Sequence, residues 1–140
     1  MTEETETRME EAGIRDVVSI RLPAASAYLS VLRTATAGLA ARLDFTLDEI
    51  EDLRIAVDEA CAMLLGEAVP GTDLTAEFEL TGLEMQVRVE VVTVGSSAPK
   101  RDDFAWMVLT ALADDVEAVT DSPDRMAIVL RKRRGAARPA

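Results

Sequence analysis

The chain has 140 residues, 49% of them hydrophobic, enough for one domain with a closed core. It carries a net charge of −11 with no histidine and one cysteine, which excludes imidazole chemistry, a zinc-type ligand set and an internal disulfide. Five of its fifteen basic residues (Arg131, Lys132, Arg133, Arg134 and Arg138) crowd the C-terminus, so Met1 to Leu130 holds ten basic against 26 acidic residues, a balance of −16 that repels nucleic acid and attracts basic protein surfaces.

Nothing from Met1 to Asp16 resembles a secretory leader, and no apolar window approaches the roughly 18 residues of a membrane span. A cytoplasmic protein with neither nucleic-acid nor membrane partners is expected. The two lysines, Lys100 and Lys132, lie in no apolar sequence setting that would make a nucleophile of either.

Residues 1–16 are acidic and read as a disordered tail. Val17 to Leu22 alternates, with Val18, Ile20 and Leu22 on one face, and reads as a strand. Pro23 permits a helix start, and from Ala24 to Leu43 the apolar residues Tyr28, Leu32, Ala35, Leu39 and Leu43 recur at helical spacing. Only Arg33 and Arg42 are charged in this helix; its other side is Ala, Ser, Thr and Gly. So charge-poor a face, in a chain that is 29% charged, reads as a contact surface including Tyr28, Ser30, Arg33 and Ala37.

Thr46-Leu47-Asp48-Glu49 spells a capping box. The helix it opens buries Ile50, Leu53, Val57, Ala60 and Leu64, sets Arg54 and Asp58 toward solvent, and carries Asp52, Ala56, Glu59 and Met63 along one flank until Pro70-Gly71. Asp48, Glu49, Glu51 and Asp52 gather around its first turns as an acidic patch. Leu74–Leu80 and Leu83–Val91 alternate cleanly around Thr81-Gly82, the most secure hairpin in the chain. A loop over Thr93–Asp103, a helix from Phe104 to about Ala113, and strands at Val116–Val119 and Met126–Arg131 around Ser122-Pro123 complete the order. The sequence β-α-α-β-β-α-β-β implies an α+β, two-layer sandwich over 17–133, with helices on one face of a mostly antiparallel sheet and a basic tail at 134–140.

Two stretches carry a family resemblance. Leu53-Arg54-Ile55-Ala56-Val57-Asp58-Glu59-Ala60-Cys61 resembles the "N box" helix of the GHKL ATPase superfamily, in the branch of RsbW-like anti-sigma factors whose kinases read A-V-S-E-A-x-x-N. Val108-Leu109-Thr110-Ala111-Leu112-Ala113-Asp114-Asp115-Val116 resembles the same branch's helix-to-strand segment, L-x-x-L-x-D-D-V. The resemblance implies a GHKL/Bergerat-like fold. It also implies an anti-sigma factor, dimeric, that sequesters an alternative sigma factor and is displaced by an anti-anti-sigma antagonist of STAS type. The acidic patch would then meet a basic surface of the sigma factor.

The resemblance also implies an ATP site, and here the sequence departs from the family. Glu59 stands where the family's Glu activates the attacking hydroxyl, but Met63 stands where its Asn binds Mg²⁺, and a thioether does not serve that oxygen-seeking ion. The D-x-G-x-G motif, whose Asp binds the adenine amino group, is matched by Thr93-Val94-Gly95-Ser96-Ser97. The G-x-G-L/M motif, which brings bare amides against phosphate, is matched by Phe104-Ala105-Trp106-Met107, and the two aromatics are expected to fill the phosphate space or the core. A binding protein without cofactor or metal is therefore the primary expectation. The alternatives are an active ATP-dependent serine kinase acting on the antagonist, and a catalytically silent module of a larger complex.

Overall fold

A computed structural model describes residues 15–95 and 103–135. In chain order the elements are β1 (Asp16–Pro23), a 3-10 turn (Ser26–Tyr28), α1 (Leu29–Arg42), α2 (Leu47–Leu65), β2 (Asp73–Leu80), β3 (Glu84–Val92), α3 (Asp103–Leu112), β4 (Asp115–Ser122) and β5 (Arg125–Arg133). The strands form one sheet in the order β1-β2-β3-β5-β4, every neighbour antiparallel. The expected α+β two-layer architecture is what forms.

Strand alternation builds the core. Leu74, Ala76, Phe78 and Leu80 of β2 pair directly with Val91, Val89, Val87 and Met85 of β3. Those in turn meet Met126, Ile128, Leu130 and Lys132 of β5, so apolar side chains run in columns across three central strands. Helix α2 lies over this face through Leu53, Ala56, Val57, Ala60, Cys61 and Leu64, all buried. The opposite face is largely polar, apart from the buried Ala127 and Val129 of β5, and is laced with ion pairs: Glu90 holds both Arg88 and Arg125, while Arg131 donates to Gln86, which donates to Glu79. Being partly exposed, these pairs contribute little singly.

Helix α1 departs from the expected pattern in two ways. It begins at Leu29 rather than Ala24, because the Ala24 amide donates to the Thr72 carbonyl and no side chain caps the start. Its inward stripe is Leu32, Thr36 and Ala40, flanked by Leu29, Leu39 and Leu43, and Tyr28 points outward at 44% exposure. A threonine is tolerated inside because its hydroxyl donates to the Leu32 carbonyl one turn back, at 2.7 Å.

The capping box at α2 forms as the sequence spells it: the Thr46 hydroxyl accepts from the Glu49 amide, and Glu49 accepts from the Thr46 amide at 2.8 Å. The helix ends at Leu65, five residues before Pro70, with Gly66 as its C-cap. The turn expected there is real, and Gly71 sits at φ +81 where a side chain would be strained. Strands β4 and β5 are longer than expected and carry a register shift between Val119 and Ser122.

The expected tails, 1–16 and 134–140, fall mostly outside the described residues. Of their described residues, Asp16 opens β1, while Arg134 and Gly135 continue from β5 onto the α1–α2 turn. Arg134 donates to the Leu43 carbonyl, and the Gly135 amide donates to Glu49 at 2.7 Å. No described helix is long and apolar enough to cross a membrane.

Candidate functional site

Two regions hold the residues singled out from the sequence. The first is the outer face of α1 with the first turns of α2. Val31 is 46% exposed, and Ser30, Val31, Thr34 and Ala35 line a shallow depression of about 440 Å³. This is the charge-poor surface the sequence pointed to. Tyr28 and Ser30 lie on it, whereas Arg33 and Ala37 are half-buried. Arg33 Nε sits 3.2 Å from Asp58 Oδ1, near enough to attract but off-line for a hydrogen bond. Asp58 is therefore turned to α1 rather than left to solvent, and Arg54 pairs with Glu51 instead. Burial raises the Asp58 pKa, with Arg33 and then Arg54 pulling the other way.

The acidic patch is largely engaged within the chain. Burial alone would raise the Glu49 pKa, but the backbone amides of Thr46 and Gly135 bind its carboxylate and bring it below the usual value. Glu51 is held by Arg54, and Asp52 lies 3.7 Å from Lys132. Asp48 is exposed, with no hydrogen bond or ion pair to another described residue. The patch a basic partner would meet is thus smaller than the sequence suggested.

Lys132 is the residue sequence reasoning missed. Its side chain is only 13% exposed, and its ammonium donates to the Leu112 carbonyl at the end of α3. The signal was available: Lys132 shares its register parity with Leu130 and Ile128, so a lysine falls on an inward position.

The second region comprises α2, which packs against both β3 and α3, together with the sheet end just after β3 and the start of α3. Glu59 is half-buried on α2, and Met63, one turn on, packs against the core. Thr93 follows β3, 3% exposed, with its amide donating to the Asp124 carbonyl at 2.9 Å; its hydroxyl has no hydrogen-bond partner among the described residues. Gly95 adopts φ +55. The two aromatics part company: Trp106 packs against the core, but Phe104 is 71% exposed and does not plug an interior space. At the first turn of a helix the side chain i+2 from an inward one faces a different direction, so the pair cannot both fill one space.

Cys61, nearby on α2, is buried and its thiol is pushed up to about 12, by burial first and by Asp58 second. In mildly alkaline buffer the folded chain should therefore react with a disulfide reagent at least about a hundredfold more slowly than the unfolded chain. A folded chain that is labelled as fast as the denatured one would show the thiol to be accessible and ionisable.

The residues of the second region do not fit Mg²⁺-bound ATP. Met63 offers no oxygen ligand, Thr93 no carboxylate, and α3 opens with side chains rather than glycines. No group of three acidic or sulfur residues among those described is placed to hold a metal ion.

A five-stranded antiparallel sheet with three described helices, one of them opened by a capping box, defines a two-layer α+β domain. No protein-family profile matches the chain. Individual proteins do. It is 32% identical over 115 residues to the anti-sigma-F factor RsbW of Mycobacterium tuberculosis strain H37Rv, covering 82% of this chain and 68% of that protein. It is 35% identical over 77 residues to the serine-protein kinase RsbW of Bacillus subtilis, spanning 55% of this chain and about half, 48%, of the kinase. In three dimensions it resembles the crystal structure of the RsbU and RsbW domains of Rv1364c from Mycobacterium tuberculosis, with a TM-score of 0.69 at 15% identity. That match covers 89% of this chain and 34% of the other, and speaks for the fold. The chain belongs to the RsbW family of anti-sigma factors and serine-protein kinases.

Proposed function

We propose that the chain is a cytoplasmic anti-sigma factor that sequesters an alternative sigma factor by protein–protein contact, and that an anti-anti-sigma antagonist of STAS type releases it. The observation that carries this reading is the similarity to an anti-sigma-F factor over 115 residues, which spans both the capped helix α2 and the sheet. The charge-poor outer face of α1 supports it, because such a surface in a chain this rich in charge suits close contact with another protein. We assign that face to self-association as a homodimer. The carboxylates of Asp48, Glu49, Glu51 and Asp52 form the flank offered to the sigma factor.

The test is direct. The purified chain should bind one of its host's alternative sigma factors with a dissociation constant below about 1 μM, near 8 kcal/mol of binding free energy, and should silence transcription driven by it. Failure to bind any sigma factor of the host would sink the reading. Because most of the acidic flank is already paired, the association rate should fall only moderately with added salt.

A further inference from the structure

The misfit between the sheet end and a nucleotide has a structural consequence. The positions that match the family's nucleotide motifs carry residue types unsuited to a nucleotide. Met63 and Trp106 both pack against the core, and Ala105, between Phe104 and Trp106, is buried at 3% exposure. The first turn of α3 carries side chains, Phe104 and Met107 exposed and Ala105 buried, where bare amides would be needed to approach a phosphate closely. Thr93 presents a neutral hydroxyl from inside the fold, and Met63 a thioether. Neither compensates for the other.

We propose that this chain holds and releases its partner without nucleotide: the residues at its sheet end do not fit one, and the antagonist displaces the sigma factor by competition alone. The second half rests on the anti-sigma reading; the first stands without it. If the antagonist is switched by phosphorylation, the phosphoryl group must then come from a separate ATP-dependent protein kinase, which transfers it to a side-chain oxygen as that oxygen's proton leaves and ADP departs.

The experiment uses the full chain in two arms. In the first, a fluorescent N-methylanthraniloyl-ATP is titrated with Mg²⁺ in excess. No saturable binding is expected below about 1 mM. Saturation in the low micromolar range would overturn the proposal, as would a rise in melting temperature on adding Mg-ATP. Met63→Asn should still take up no nucleotide, because Thr93 and α3 remain as they are. Tight binding by that variant would mean that the rest of the site is intact and would overturn the proposal. In the second arm, affinity for the sigma factor is measured with and without Mg-ATP. A ratio within about twofold is expected, and a tenfold gain with nucleotide would overturn the proposal. A chain that bound no sigma factor would defeat the anti-sigma reading while leaving the first arm to decide this one.

Discussion

Glutamates placed together at Ser30 and Thr34 should turn a dimer into monomers while leaving the fold intact. Both residues are exposed, both line the depression on α1, and neither makes a hydrogen bond that the folded chain depends on. A charge forced into a closely packed contact loses its hydration without gaining a partner, at a cost of about 2–5 kcal/mol each. Two in each protomer, facing their copies across a two-fold contact, should raise the dimer dissociation constant by at least about a thousandfold. Sedimentation equilibrium would show the change, with circular dichroism as the control for folding. An unchanged association state would count against the face, and so would a parent chain that is already monomeric at high concentration.

Phe78→Ala should produce the largest loss of stability of any single truncation. Phe78 is fully buried, sits on β2 opposite Val18 of β1 and Val87 of β3, and is among the largest of the fully buried side chains. Removing its ring forfeits the transfer free energy and leaves a cavity that a flat, hydrogen-bonded sheet cannot collapse to fill. The expected cost is about 3–5 kcal/mol. Against a typical stability of about 5–15 kcal/mol that is a large fraction of the whole, and the melting temperature should fall by about 15 °C. Thr75→Ala, on the opposite face of the same strand, should change it by well under about 1 kcal/mol. A Phe78→Ala loss as small as that of Thr75→Ala would mean that the core centres elsewhere.

How much of this was legible in the sequence depends on the range of the interaction. The Thr46–Glu49 capping box, the β2–β3 hairpin, the inward residues of β1 and most of those of α2 were readable, because each is set by neighbours two to four positions apart, but Ala56, expected on the flank of α2, is fully buried. The resemblance at the N-box helix survived because Glu59 and its neighbours keep the family's residue types even where Met63 does not. The face of α1 was read one residue wrong, with Tyr28 and Ala35 inside and Thr36 outside, since polarity was taken as a sign of exposure. Only the Leu32 carbonyl, waiting one turn back, makes a buried Thr36 cheap.

What the sequence determined by itself is the set of elements, their amphipathic faces and the loss of nucleotide-binding residue types, because those are properties of residue identity and short spacing. What only the tertiary structure decided is where the charges and the chain end go. It turned Asp58 toward Arg33 on a neighbouring helix, drew Lys132 inside to the Leu112 carbonyl, and tied Gly135 to the carboxylate that caps α2, 86 residues away in sequence. It also set the strand order β1-β2-β3-β5-β4 and sent Trp106 inward and Phe104 out. These depend on which surfaces meet once the sheet has closed, and a charged side chain takes whichever partner that closure brings within hydrogen-bond reach.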